Sequence, residues 1–100
     1  MKIILICSSG ISSGLLVRRI KKLAEREGIE DFSITSTGFA AFRRNHDCDL
    51  ALIAPIGPTN VNNMVDVCRQ DHIDYLVIRK EDYESLNVEE ILRQVVGSAN

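Results

Sequence analysis

Two short runs of apolar residues constrain the fold of this chain more than any other feature. Ile3–Ile6 and Leu50–Ala54 contain no polar or charged residue. Runs of this length are typical of strands that are buried on both faces, as happens in a parallel sheet covered by helices. We therefore predict strands over residues 2–6 and 49–54 of an α/β fold.

An amphipathic helix is predicted from residue 14 to residue 27, after the first strand. Its apolar residues recur at helical spacing and would face the core. They are Leu16, Ile20, Leu23 and Ala24. The charged residues that would face solvent include Arg18, Arg19, Lys21 and Lys22. Gly28 follows, and we expect it to end the helix in the left-handed conformation.

Strands and helices continue to alternate along the rest of the chain. In chain order we predict a half-exposed edge strand at 32–35, a short helix at 39–45, a helix after the turn at 55–58, a strand at 75–78, a charged loop at 79–84 and a C-terminal helix. Thr59 or Asn60 is expected to cap the helix after the turn, and Asn87 to cap the last helix. This order predicts one domain over residues 1–100, a three-layer sandwich in which helices cover both faces of a four-stranded parallel sheet.

Composition and charge argue against several classes of protein. The formal net charge is −2, whereas nucleic-acid-binding domains usually carry an excess of basic residues. The apolar runs are far shorter than the roughly 18 residues needed to span a bilayer. The apolar stretch near the N-terminus is also too short for the core of a signal peptide, so we expect a cytoplasmic protein without membrane insertion.

The three cysteines form no C-x-x-C pair, and their odd number fits neither a disulfide framework nor a zinc site. We expect a reducing compartment, no metal and no cofactor. Cys48 and Cys68 are expected to be small buried or half-buried residues of the fold. His46 and His72 lie in polar turns with no partner at metal-ligand spacing, and we expect both to be exposed.

The remaining cysteine, Cys7, ends the first predicted strand and begins a loop of small residues. That loop consists of Ser8, Ser9, Gly10, Ile11, Ser12, Ser13 and Gly14, and it leads directly into a helix. Backbone amides at such a junction, together with the helix N-terminus, stabilise an anion. They also favour the thiolate of a cysteine at the rim. The segment therefore predicts a phosphate-binding loop with Cys7 as its nucleophile, at the sheet edge where α/β proteins bind ligands.

Other phosphate-binding motifs fit this loop less well. It lacks the lysine of a Walker-type loop, and the glycine pattern of dinucleotide-binding proteins is absent. A phosphatase loop needs an arginine six residues after the cysteine, where this chain has Ser13. Asp82, expected on an exposed loop at the same edge, could serve as the general acid of a hydrolase. A carrier that accepts a phosphoryl group from an activated donor fits best, because it needs only the nucleophile and the cradle. A phosphatase or arsenate-reductase-like hydrolase with Cys7 as nucleophile stays open as the alternative, as does a regulatory domain.

The segment Cys7–Leu16 resembles the C-x-x-G-x-S-[ST]-S-x-L signature of enzyme IIB, the phosphocarrier of the bacterial sugar phosphotransferase system, in its lactose/cellobiose-type family. The resemblance extends over nearly the whole chain, including the Ala54–Pro55 turn. It implies that Cys7 receives phosphate from a phosphohistidine of enzyme IIA. Cys7 would then pass it to a sugar, expected to be a disaccharide, held by the membrane permease enzyme IIC.

The resemblance further implies a phosphotransferase that works at the inner face of the membrane, and we expect a monomer. Arg18, Arg19, Lys21 and Lys22 are expected mainly as a solvated helix face. Because they lie just behind the loop, a role in docking a phosphorylated partner stays open. Two positions depart from the family pattern. Gly14 stands where the signature has serine, and Ile56 stands where many relatives carry glutamine. Neither departure affects the nucleophile.

Overall fold

A computed structural model describes residues 1–7, 13–44, 47–55 and 57–98, with the backbone alone at residues 13 and 98. Its strands are β1 (Lys2–Cys7), β2 (Ser33–Gly38), β3 (Leu50–Ile53) and β4 (Tyr75–Val77). Its helices are α1 (Ser13–Arg26), α2 (Phe39–Arg44), α3 (Pro58–Gln70), α4 (Lys80–Glu84) and α5 (Val88–Ser98). The strands form one sheet in the order β2-β1-β3-β4, and every pairing is parallel.

The sheet separates two apolar clusters, one on each face. Because successive residues of a strand point to opposite faces, Ile3 and Leu5 of β1 contribute to one cluster and Ile4 and Ile6 to the other. The first cluster is completed by α1 and α5, and the second by α2 and α3. The predicted three-layer α/β sandwich is therefore confirmed.

The edge strand β2 is longer than predicted but has the predicted exposure. Ile34 is buried, whereas Ser33 and Thr35 on either side of it are exposed. The prediction ended this strand at residue 35, because the sequence beyond it loses its apolar alternation. The strand nevertheless continues to Gly38, since its backbone pairs with β1 as far as Cys7.

Helix α1 has the predicted amphipathic pattern and the predicted end. Its four predicted core residues are buried, and its four predicted solvent-facing cations are exposed. Gly28 has a φ of 72°. The amide of Gly28 donates to the carbonyl of Glu25 at 3.1 Å, and the amide of Ile29 donates to the carbonyl of Ala24 at 3.0 Å. This pair of bonds is a Schellman motif, in which glycine avoids the steric cost of the left-handed conformation.

The predicted cap of α3 is wrong. The helix begins at Pro58 rather than after Thr59 or Asn60, and Gly57 is the N-cap residue. Proline suits the first helical position because its φ is already helical and no intrahelical partner exists there for an N–H. Gly57, with a φ of 76° and a ψ of 131°, supplies a backbone conformation that other residues rarely adopt.

The predicted charged loop at 79–84 is also wrong, because these residues include the short helix α4. The amide of Tyr83 donates to the carbonyl of Arg79 at 3.0 Å, which closes the first turn. Acidic residues in that turn interact favourably with the N-terminal end of the helix dipole. The cap of the next helix is confirmed, since the Asn87 side-chain oxygen accepts a hydrogen bond from the Glu90 amide at 3.4 Å.

None of the helices in the described ranges is both long enough and apolar enough to cross a lipid bilayer.

The left-handed conformation of Gly28 leads to a test of the fold. Gly28→Ala should lower the free energy of unfolding by about 1 kcal/mol, because a Cβ is disfavoured at positive φ. Gly97→Ala in α5 is the matched control, since its φ is not positive and its Cβ would meet no atom within 4 Å. The control should leave stability unchanged or slightly raised in urea unfolding. Equal effects of the two substitutions would contradict this account of the α1 end.

Candidate active site at the carboxyl edge of the sheet

Cys7 lies at the position in this sheet where the strand order changes direction. The chain passes from β1 to β2 on one side and then crosses to β3 on the other side of β1. Cys7 pairs with Gly38 of β2. On the other side, the Ala54 amide donates to the carbonyl of Ile6 at 2.9 Å. Ligands of open parallel sheets bind in the crevice beyond the carboxyl ends of such strands.

Helices α1, α2 and α3 each begin at this same edge, because each follows the carboxyl end of a strand. None of the three has an acidic residue in its first turn. Helix α4 also begins at this edge, after β4, and carries Glu81 and Asp82 in its first turn, but β4 lies two strands away from β1. Helix α5 carries Glu89 and Glu90 in its first turn. A helix N-terminus bears partial positive charge that a nearby carboxylate would offset. The part of this edge beside β1 therefore keeps the positive polarity that favours an anionic group.

The described residues cover part of the predicted phosphate-binding loop. Cys7 is fully buried at the end of β1. Ser13 and Gly14 form the first turn of α1, whereas Ser8, Ser9, Gly10, Ile11 and Ser12 lie outside the described residues. A Cβ built on Gly14 meets no atom within 4 Å, so the serine of the family signature would fit at this position.

Cys48 and Cys68 have surroundings that suppress thiol reactivity. Cys68 is fully buried in the cluster formed by α2, α3 and the sheet, and Cys48 packs against that cluster. Burial raises the pKa of Cys68 to about 11, with smaller contributions from Cys48 and Asp71. Burial, followed by the charges of Asp49 and Asp47, also raises the pKa of Cys48. The prediction that both are residues of the fold is therefore confirmed.

Asp82 differs most from its predicted setting. It was expected to be exposed on a loop, but it is a buried residue of α4 with a side-chain exposure of 5%. One carboxylate oxygen accepts a hydrogen bond from Arg79 Nε at 3.1 Å, and the other accepts one from Asn87 Nδ2 at 3.3 Å. Both oxygens are thus engaged in joining the end of β4 to the start of α5. This arrangement argues against a role for Asp82 as a general acid.

The two histidines, Arg18 and the metal-ligating residue types were also considered in the sequence. His72 is exposed as predicted, and His46 lies outside the described residues. Arg18 lies five residues after Ser13, the first residue of α1, so the two positions are about 7.5 Å apart along the helix axis. Arg18 therefore does not take the place of an arginine at position 13. Within the described ranges, no group of three or more His, Cys, Asp or Glu side chains comes together in a way that could hold a metal ion.

Two neighbours of Cys7 were not predicted as such: Gly38, which the sequence did not single out, and Ala54, which was noted only for the Ala54–Pro55 turn. Both are small residues that flank Cys7 across the sheet, Gly38 through its pairing and Ala54 through its bond to the preceding residue. The position of Gly38 at the end of a strand was the available signal, but only the register placed it opposite Cys7.

The comparisons with known proteins agree with the fold and with the predicted family. The family model described as PTS system, Lactose/Cellobiose specific IIB subunit matches residues 2–94. The solution structure of a cellobiose-specific phosphotransferase IIB component from Borrelia burgdorferi is similar, with a TM-score of 0.82 and 26% identity over 98% of this chain and 90% of that chain. None of the curated proteins matches.

A second solved structure shows the same fold at lower identity. It is the lactose-specific IIB component domain of the phosphoenolpyruvate:carbohydrate phosphotransferase system from Streptococcus pneumoniae. Its TM-score is 0.83 and its identity 18%, over 100% of this chain and 98% of that chain. At this identity the similarity is evidence for the fold alone.

The raised pKa of Cys68 predicts how stability depends on pH. The pKa of Cys68 is about 11 in the folded state and about 9 in the unfolded state. A thiol of this kind contributes fully to stability below about pH 9, and that contribution is lost as the pH rises towards about 11. The free energy of unfolding should therefore fall between these values. Cys68→Ala should be less stable at neutral pH but should show a smaller fall, whereas Cys7→Ala serves as the cysteine control. An unchanged pH dependence in Cys68→Ala would contradict the assignment.

Proposed function

Because this chain belongs to the lactose/cellobiose-specific IIB subunit family of the sugar phosphotransferase system, we propose that Cys7 is the residue that carries its phosphoryl group. The observation that best supports this proposal is the position of Cys7 at the end of the central strand, beside the change in strand order. The unopposed N-termini of α1 and α3 add electrostatic support for an anion there. Ser8, Ser9, Gly10, Ile11, Ser12, Ser13 and Gly14 would hold the phosphate oxygens.

The proposed transfer has two steps. In the first, the Cys7 thiolate attacks the phosphorus of a phosphohistidine on enzyme IIA. The S–P bond forms as the P–N bond breaks, and the imidazole leaves with the electron pair. In the second, a sugar hydroxyl on enzyme IIC attacks the same phosphorus, and the thiolate leaves as the hydroxyl proton passes to a base of the permease or to water. Backbone amides would stabilise the three equatorial oxygens in both steps.

The proposed setting follows from membership of the family. Enzyme IIA is the phosphate donor, and the sugar, a disaccharide in this proposal, is bound by the permease enzyme IIC. The protein would act as a monomer in the cytoplasm and meet the permease at the inner face of the membrane. Specificity for the sugar would then reside in the permease, since the cradle around Cys7 contacts only the transferred group.

Hydrolysis by the same cysteine is the less favoured reaction. A phosphatase loop would need an arginine in place of Ser13. It would also need a general acid, and Asp82 does not suit this role because its two carboxylate oxygens bind Arg79 and Asn87. Without these groups the thiophosphate ester would react slowly with water. A slow reaction with water suits a carrier, because the phosphoryl group must persist until the acceptor arrives.

The first test of this proposal is the site of phosphorylation. Incubation with phosphoenolpyruvate, the upstream carriers and enzyme IIA should add the mass of one phosphoryl group to the intact protein. Cys7→Ser should abolish this addition and all transfer to sugar, because a hydroxyl is far less ionised than a thiol at neutral pH. Cys48→Ser is the matched control and should be phosphorylated like the unmodified protein. Phosphorylation of Cys7→Ser at an undiminished rate would refute the assignment.

A second test uses the absent arginine. The unmodified protein should hydrolyse p-nitrophenyl phosphate at a negligible rate. Ser13→Arg would supply a bidentate donor for the equatorial oxygens and should release phosphate from phosphorylated Cys7 at least about tenfold faster. Ser13→Gln is the control, because it lengthens the side chain without adding a charge. Rapid hydrolysis of p-nitrophenyl phosphate by the unmodified protein would favour the hydrolase over the carrier.

A further inference from the structure

A groove between α1 and α5 is a concave surface that the described residues form away from Cys7. It consists of two adjoining hollows of about 470 and 410 Å³ that share Leu23 and Glu89. The larger hollow is also lined by Glu27, Ile29, Leu92, Arg93 and Val96. The smaller one is also lined by Arg19, Lys22, Arg26 and Val88. We name the two together the α1–α5 groove.

The floor of the larger hollow is apolar. Leu23 and Leu92 are core residues that present one side to the hollow. Val96 is 39% exposed, and in the described part of the chain it is one of two large apolar side chains with such exposure. An apolar floor reached by an exposed valine provides a place where a partner's apolar side chain would be removed from water.

The smaller hollow is strongly basic for a protein whose net charge is −2. Three cations of α1, namely Arg19, Lys22 and Arg26, face one carboxylate, Glu89. In the larger hollow the charges are mixed, and Arg93 there is paired with Glu90 through Nε at 2.9 Å. The groove therefore has a basic side, which extends along α1 from Arg19 to Arg26 over about 10 Å, and an adjoining part of mixed charge with an apolar floor beside Val96.

We propose that the α1–α5 groove binds an acidic, amphipathic segment of a partner protein. Acidic side chains of that segment lie against Arg19, Lys22 and Arg26, and an apolar side chain enters the larger hollow beside Val96. A second copy of this chain is the less suitable occupant. Among the residues that the structure describes, the other exposed large apolar residue is Leu15, and Arg18 and Arg19 lie three and four residues after it on the same helix. A second copy that inserted Leu15 would therefore bring cations to a basic hollow.

This surface is separate from the proposed phosphoryl-transfer site. The basic side begins at Arg19 and the groove extends beyond the end of α1 at Arg26, whereas the Cys7 edge adjoins the opposite end of that helix. A partner can therefore occupy the groove without covering Cys7. Binding to the groove and phosphorylation of Cys7 are expected to be independent, so each can fail without the other.

The test uses a synthetic fluorescein-labelled peptide about three helical turns long, with glutamates on its first turn and leucines on the last turn of one face. Fluorescence anisotropy should show saturable binding to the unmodified protein and to Cys7→Ser alike. The double substitution Arg19→Glu with Lys22→Glu should weaken binding at least about tenfold, because two attractions become repulsions. Arg18→Glu with Lys21→Glu is the matched control. It makes the same charge change on the same helix outside the groove, and should alter affinity by less than about twofold.

Two further measurements separate the proposal from general charge attraction. Replacing the peptide leucines by serine, or Val96 by Asn, should weaken binding severalfold. Amide chemical-shift changes on peptide addition should concentrate on α1 and α5. Equal loss of affinity in the two double variants, or shifts centred on the carboxyl edge, would overturn the proposal. The proposal would also be overturned if the free protein self-associates and the double substitution Arg19→Glu with Lys22→Glu abolishes this self-association. The occupant of the groove would then be a second copy of the chain.

Discussion

The structure depends on the pairing of β1 with a strand on each side. A strand in this position has its backbone groups bonded to both neighbours and its side chains packed on both faces, so neither edge nor face reaches water. Ile3 through Cys7 are all buried. At the amino end, the strand is fixed by bonds from the Lys2 amide to an Asp49 oxygen at 2.7 Å and from the Asp49 amide to the Lys2 carbonyl at 2.8 Å. With both ends of its ladder fixed, β1 holds Cys7 at one position relative to the helices.

This constraint also explains why a cysteine at this position differs from the other two. Cys68 is enclosed by apolar residues, and burial there disfavours the thiolate. Cys48 adjoins two aspartates, whose charges act in the same direction. Cys7 is also buried, but it lies beside helix starts that lack acidic residues. The three cysteines thus differ in the helix ends and charges that surround them, and this difference supports the proposal that Cys7 is the one that carries the phosphoryl group.

Most of the architecture was predictable from the sequence, and the exceptions have identifiable causes. Apolar runs marked β1 and β3, helical periodicity marked α1, and Gly28 marked its end, because each signal is local. Helix α4 was missed because five of the six residues from Arg79 to Glu84 are charged and the sixth is tyrosine, so no apolar pattern marks it. The hydrogen bonds of Asp82 with Arg79 and Asn87 stabilise it. The extension of β2 to Gly38 was missed because strand pairing, rather than composition, maintains it. For the site, Cys7 as the nucleophile stays a prediction from the sequence, whereas its neighbours Gly38 and Ala54 became evident only from the pairing of the strands.

The net charge of −2 conceals a division of the surface that matters for recognition. Four acidic residues lie in the first turns of α4 and α5, where they interact favourably with their own helices. Along α1, by contrast, five exposed cations outnumber the one acidic residue, Glu25. Because interactions between exposed charges decay over about 8 Å at physiological ionic strength, an approaching partner responds to the nearest helix rather than to the net charge. A negatively charged partner can thus be attracted to α1 although the protein as a whole is acidic. The proposed phosphoryl-transfer site therefore adjoins one end of α1, and the proposed α1–α5 groove uses cations along the remainder of that helix.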